Sequence, residues 1–455
     1  MTRVLLVGSG AREDAIAHAL IRRPDVELYA AMSSANPGIT RITKDRRIMQ
    51  ITNPLEVVGY AVKNRTEIAI VGPEAPLVKG VANALKNKGI ACVGPTRELA
   101  AIEGDKVFCR QLLNQHGISG NPQFNIFADF PSAEAYLRTT GDVAIKPIGL
   151  TAGKGVKVSG DELPTKEAEI AYAKHVLNER IGGEGVLIEE KLDGEEYSLQ
   201  AFVDGKNMRI MPLVQDHKRA FDNDMGPNTG GMGSYSDVNH LLPFVSEADL
   251  DQSYRIMREA IDALQQDMDA EYKGVLYGQF MIAKNRTEDR PSHKLIEFNC
   301  RFGDPEAMNV LSILDSDLAD ICERIIDGTL GPQHLQFLHK ATVCKYLVPD
   351  GYPEAPRTHE MISLDEGSIA NSGVTLHFAS VDAQNGRILT TSSRTVALTA
   401  ISDTIEQAEK LVEASIQHVR GPLRHRRDIG TSALISRRLE HARIVKQPTE
   451  ARRES

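Results

Sequence analysis

Over the first hundred residues, short apolar runs alternate with helix-period patterns, the rhythm of a parallel sheet covered by helices. Val4–Val7 reads as a buried strand, Gly8-Ser9-Gly10 as a turn, and the next segment as a helix with Ala15, Ile16, Ala19 and Leu20 on one face. A second buried strand, Ile68–Val71, ends at Gly72-Pro73-Glu74, and a helix over 78–88 and a strand over 90–93 follow. Open α/β sheets bind ligands beyond the carboxyl ends of their strands, so the Gly8 and Gly72 turns are candidate rims of one crevice.

Near Glu103 the rhythm changes to a helix, Asp105–Gln115, and Asn121-Pro122 opens a β-rich stretch with Gly-rich turns. Two long helices, over 167–180 and 247–266, give this region an α+β pattern. Leu330-Gly331-Pro332 marks the next break, after which short strands run to Leu398 and a helix spans 404–420. The expected division is 1–103, 104–330 with 124–190 set apart inside it, 331–430, and a tail from 431 to 455.

Composition narrows the class. A chain of 455 residues, 41% hydrophobic and 25% charged, is ordinary globular material of about three domains. The net charge of −9 argues against a general nucleic-acid binder. From Gly421 onward nine basic residues face four acidic ones, so a +5 tail sits on a −14 body, and a solvated surface helix is expected there. Five widely spaced cysteines without a C-x-x-C pair predict neither disulfides nor a zinc knuckle, and fit a reducing cytoplasm. No apolar run approaches twenty residues, and no secretory leader is read at the start, so no membrane association is expected. The thirteen histidines show no ligand-type spacing and read as core or surface polar groups.

Several segments carry candidate chemistry. Gly8-Ser9-Gly10-Ala11-Arg12-Glu13 has glutamate where a dinucleotide fingerprint has its third glycine; it reads as a phosphate-binding helix start or as a tight structural turn. Lys146 ends an apolar strand and leads into a loop with Gly149, Gly153, Lys154 and Gly155, a phosphate lid by its glycines and cations, although not in P-loop order. Gly104-Asp105-Lys106 is a weaker lysine signal. The strand Val186–Glu190 runs into an acidic turn through Glu196, which suits a purine edge and a ribose hydroxyl. Segments 215–221 and 226–235 concentrate charges and glycines that no folding rule requires. On the strand through Leu295-Ile296-Glu297-Phe298-Asn299, Glu297 and Asn299 share one face, two hard oxygen donors of the kind Mg²⁺ takes beside nucleotide phosphates, with Arg301 on the same side.

Taken in order, Gly72-Pro73-Glu74-Ala75-Pro76-Leu77, the 215–219 and 226–235 segments, Glu297 to Glu306 and Arg427-Asp428-Ile429-Gly430 make the chain resemble the ATP-grasp ligases, and among them the phosphoribosylamine–glycine ligase family. The resemblance implies a Rossmann-like N-terminal substrate domain, a central ATP-grasp fold with a mobile lid over about 124–190, and a small β-rich C-terminal cap. It implies ligation of glycine to 5-phosphoribosylamine with ATP and Mg²⁺ or Mn²⁺, by a cytoplasmic monomer or weak homo-oligomer. Carried onto this sequence, Lys106, Lys146, Gly153, Lys154, Gly155, Glu189, Glu190, Lys191, Leu192, Glu196, Arg219 and Asn228 would bind ATP. Gly10, Arg12, Glu13, Pro73, Glu74, Asp216, Lys218, Arg301 and Asp304 would bind substrate, with Lys146, Arg301 and Asp304 catalytic; Glu297, Asn299 and Gln279 would hold metal. The family's histidine after Arg-Glu is Asp14 here, and the lid loop is changed at Pro147, Ile148 and Thr151. Another ATP-grasp enzyme, such as a carboxylase, and a non-catalytic nucleotide binder are the other classes; a nicotinamide dehydrogenase is disfavoured by Glu13.

Overall fold

The computed structural model describes residues 1–151, 155–284, 291–384 and 386–447. The N-terminal unit is a five-stranded parallel sheet in the order Asp45–Ile48, Val26–Met32, Thr2–Val7, Ile68–Val71, Ala91–Val93. Thr2–Val7 pairs with Val26–Met32 on one side and Ile68–Val71 on the other, so the strand order reverses at its carboxyl end, beside the Gly8 and Gly72 turns. The helix Ala11–Leu20 departs from the one-faced pattern expected of it: every residue but His18 is buried. It packs on its own sheet and also against the later helix Glu306–Ser312 and strand Val374–Phe378, so its polar side is covered too. The helix expected over 78–88 is two short ones, Glu74–Val78 and Val81–Lys86, broken at Gly80, whose φ of +81° suits glycine.

Lys106–Gln115 begins where Asp105 caps it, the carboxylate accepting the amides of Val107 and Phe108. The long helix Glu247–Met268 starts from a Ser246/Asp249 capping box. Two sheets follow from the central sequence. The larger is antiparallel, ordered Met208–Ile210, Gly194–Asp204, Lys273–Ala283, Ser292–Asn299. A smaller one, ordered Phe124–Phe127, Val186–Glu190, Val143–Pro147, Lys157–Val158, is covered by helices Phe130–Thr139 and Lys166–Asn178 around a separate apolar core that includes Leu137, Ile145, Ile170 and Ile188.

The C-terminal sheet runs Gln215–Asp216, Gly233–Ser236, Ala341–Pro349, Val396–Ser402, Val374–Phe378. Its first two strands come from the central sequence, with Gly233 opposite Lys345, so the glycine-rich segment stitches two units together. The tail to Gln447 is ordered. Ser432–Lys446 is a helix that buries Leu434, Ala442 and Val445 and pairs Arg438 with Glu195 and Lys446 with Asp249, so its charges meet partners on the body. Among the described residues no helix is long and apolar enough to cross a membrane, and the five cysteines are free.

Candidate active site

A cleft of about 830 Å³ lies between the small sheet, the antiparallel sheet and the Gly72 turn. Arg12, Pro73, Glu74, Lys106, Lys146, Glu189–Leu192, Glu196, Asp216, Lys218, Arg219, Asn228, Gln279, Glu297, Asn299, Arg301 and Asp304 all line it. Gly10 and Glu13 do not. Glu13 lies beneath the turn, its Oε2 accepting the Gly10 amide at 2.6 Å and its Oε1 the Arg12 Nε at 2.6 Å. A Cβ on Gly72 would fall 2.2 Å from Glu13 Oε1, so the carboxylate fills the space where the two turns meet, which is why glutamate fits at position 13. Gly155 lines a smaller neighbouring cavity of about 340 Å³, and Gly153 and Lys154 lie outside the described residues.

Three lysines converge from three elements. Lys106 Nζ donates to the Gly149 carbonyl at 2.8 Å; enclosure, aided by nearby Lys146, holds its pKa below the usual lysine value although Glu297 opposes the shift. Lys146 is pinned to Glu189 Oε2 at 2.6 Å, and the same buried carboxylate takes Arg110 Nε at 2.6 Å. Enclosure disfavours the Glu189 charge, yet the two cations outweigh it and keep the carboxyl below its ordinary value. The amides of Glu190 and Lys191 are spent on Gln123 and Asp142 carbonyls. Lys218 Nζ lies 3.9 Å from Glu297 Oε1 and also bonds Gln279 Oε1. Glu297 is 38% exposed to the cleft. Enclosure alone would raise its pKa, but Lys218, Lys106 and Lys146 bring it down to about 2.

The strand end after Glu297 is braced on both sides. Asn299 Nδ2 approaches Glu297 Oε1 at 3.4 Å and its Oδ1 accepts Arg301 Nη2 at 3.0 Å. Arg301 in turn reaches Glu103 at 3.0 Å and Glu74 at 3.5 Å. Asp304 is held by Arg394 Nη2 at 2.9 Å and by the Tyr346 hydroxyl at 2.6 Å, both from the C-terminal sheet region. Arg219 pairs with Asp161 at 2.8 Å and with Glu162, and Asn228 reaches Glu162 at 3.3 Å, so both tie the small sheet's turn to the body. Enclosure, reinforced by Glu306, lifts Asp216 well above an ordinary carboxyl.

The segments that build this cleft coincide with a known family in three parts. Models of phosphoribosylglycinamide synthetase match as its N domain over residues 2–103, its ATP-grasp (A) domain over 104–307 and its C domain over 342–432. The chain belongs to the phosphoribosylglycinamide synthetase family. A phosphoribosylamine–glycine ligase of Methanoregula boonei is 48% identical over 96% of this chain and 99% of its own, and one of Methanosarcina barkeri 45% identical over 98% and 100%. The crystal structure of phosphoribosylamine–glycine ligase from Thermotoga maritima superposes with a TM-score of 0.78 at 26% identity, covering 94% of this chain and all of that one. A biotin carboxylase domain from Hydrogenobacter thermophilus superposes with a TM-score of 0.71 at 15% identity, covering 100% of this chain and 97% of that one, a likeness of fold alone. Family membership makes the chain an ATP-using ligase.

For this synthetase-family site, sequence reading missed Arg110, Glu103 and Arg394, the groups that hold Glu189, Arg301 and Asp304 in place. None has a local motif. An arginine inside the otherwise apolar face of Lys106–Gln115 was the one available signal for Arg110, since a buried arginine needs a partner. Arg438, counted only as tail charge, also lines the cleft.

Proposed function

We propose that the named cleft residues carry out the family's reaction, in which ATP, glycine and 5-phosphoribosylamine give glycinamide ribonucleotide, ADP and phosphate in purine biosynthesis. Glycine's carboxylate attacks the γ-phosphate to give glycyl phosphate; the phosphoribosylamine nitrogen then attacks the activated carbonyl and phosphate leaves. Neither step needs a covalent bond to the enzyme, so catalysis rests on positioning and charge neutralisation.

Lys106 and Lys146 take the ATP phosphates, under a lid that includes Gly153, Lys154 and Gly155. The turn from Glu189 to Leu192 holds adenine, with the Glu190 and Lys191 amides already paired to Gln123 and Asp142; Glu196 takes the ribose. Arg219 and Asn228 close the phosphate end by anchoring the lid at Glu162. Arg301 receives glycine's carboxylate and Asp304 its ammonium, with Asp216 and Lys218 beside them. The turns at Gly10, Arg12 and Glu13 and at Pro73 and Glu74 receive phosphoribosylamine, Glu13 by fixing the Gly10 amide rather than by contact.

Mg²⁺ or Mn²⁺ fits Glu297 and Asn299. Glu297 presents its carboxylate to the cleft and is kept ionised by the surrounding lysines, while Asn299 Oδ1, on the same strand face, accepts from Arg301 and joins once Arg301 turns to glycine's carboxylate. Gln279 Oε1 already accepts from Tyr277 and Lys218, so it joins only if Lys218 moves to phosphate. The ion, when bound, neutralises phosphate charge. Cytoplasmic operation agrees with five free cysteines.

The carrying observation is the convergence of Lys106, Lys146 and Lys218 on the open Glu297–Asn299 face. Coupled ADP release across a panel of amino acids tests it. Release should require glycine and rise with phosphoribosylamine; release indifferent to glycine would defeat the reading.

A further inference from the structure

Away from the cleft, the helix Ala11–Leu20 and the strand Val374–Phe378 bring Asp14, His18 and His377 together. One nitrogen from each imidazole and a carboxylate oxygen lie within 4.8 Å of one another. Asp14 is fully buried and His377 is 4% exposed, whereas His18 is the one residue of its helix that reaches solvent. Asp14 Oδ2 is 3.1 Å from His377 Nδ1, and Oδ1 is 3.7 Å from His18 Nδ1. That Oδ1 has no hydrogen-bond partner although it is out of solvent, a costly state for a carboxylate oxygen. Gly38 backs against it so closely that a Cβ there would stand 2.0 Å away, which leaves the histidine side as the direction it faces.

We propose that Asp14, His18 and His377 bind a first-row divalent transition metal, with Zn²⁺ the best match, and that the ion pins the N-terminal helix to the C-terminal sheet. Two imidazoles and one carboxylate are a borderline-soft donor set, suited to Zn²⁺ or Co²⁺ and unlike the all-oxygen face of Glu297 and Asn299. Ligands of a tetrahedral zinc ion stand roughly 3.3 Å apart, given metal–ligand bonds of about 2.0–2.1 Å. The two carboxylate–imidazole separations, from Oδ2 to His377 and from Oδ1 to His18, fall on either side of that value. His18, the solvent-facing member, makes the remaining adjustment, giving up its 2.9 Å bond to the Asp14 carbonyl and leaving a fourth position for water. Arg41, close enough to interact with Asp14, stacks over Phe378 at 5.4 Å and is compensated by Glu366. Asn36 bridges the same seam, donating to the Phe378 carbonyl at 2.7 Å and the Ser9 carbonyl at 3.0 Å, so the clamp would also steady the Gly8–Gly10 turn. None of the three ligands lines the cleft, which makes this a structural site.

The test uses the untagged full chain, stripped with chelator and titrated with Co²⁺. One equivalent should bind with a visible d–d band, and melting should rise with metal concentration. His18→Ala, at a solvent-facing position, should fold as the parent does and weaken binding by more than about tenfold, since even an outer-shell partner is worth about 10–100-fold. His377→Gln should do the same, while Glu297→Gln should keep the equivalent. A stripped chain that binds no Co²⁺, or binding undiminished in His18→Ala and His377→Gln, overturns the site.

Discussion

Glu189 and Glu297 line one cleft from two different sheets, and both carboxyls are held below their ordinary pKa by lysines and arginines. Their surroundings otherwise differ. Glu189 is 3% exposed and closed on both sides at 2.6 Å by Lys146 and Arg110, whereas Glu297 is 38% exposed and its nearest cation stands off at 3.9 Å. A carboxylate already saturated by buried cations positions those cations. One that is ionised, open and only loosely approached has capacity left for a ligand. The same residue type, in the same field, is thus a brace in one place and is proposed as a binding group in the other.

The largest effect should come from the brace. Glu189→Gln leaves Lys146 and Arg110 buried without their anion and should cost about 3–5 kcal/mol of stability, read from urea midpoints. The sign with pH follows. A depressed folded pKa contributes stability that is present above the unfolded value of about 4.3 and is lost as pH falls below it, so the parent should shed this term in acid and the variant should show less acid dependence. A parent-like midpoint would end the distinction between the two glutamates.

Glu297→Gln also removes a carboxyl held at about 2 by three lysines and should cost some stability, but less than Glu189→Gln, because its side chain is 38% exposed and no cation closes on it nearer than 3.9 Å. Its kcat/KM for ATP should fall about 10²–10³-fold, the scale of losing one electrostatic stabiliser. A smaller effect tests the lysine field around it. Because Lys106 sits below the usual lysine pKa of about 10.4, it should lose its proton, and ATP turnover should decline, before an ordinary lysine would. Lys106→Arg keeps the charge and should move that alkaline limb upward; an unmoved limb would assign it to another group.

Much of this cleft was legible because its signals are local. The period-two spacing of Glu297 and Asn299 and the glycine turns after Val4–Val7 and Ile68–Val71 depend only on strand geometry. What stayed hidden depends on which distant segments meet. Arg110 meets Glu189, Arg394 meets Asp304, and Gly233–Ser236 pairs with a strand beyond the Leu330 break. The histidines showed no ligand spacing in sequence for the same reason: Asp14 and His377 are 363 residues apart and become neighbours only when the first helix is buried from both sides. That burial also erased the one-faced pattern by which the helix was read.

In the proposed site the open glutamate, and not the closed one, binds the metal–nucleotide. Mn²⁺ binding with ATP, followed by the electron paramagnetic resonance signal of free Mn²⁺, compares Glu297→Gln and Glu189→Gln directly under conditions where both are folded. Glu297→Gln should weaken Mn²⁺–ATP binding at least about tenfold, a loss of about 1.4 kcal/mol, while Glu189→Gln should keep its metal affinity in saturating ATP. Parent-like Mn²⁺ binding by Glu297→Gln would contradict this assignment.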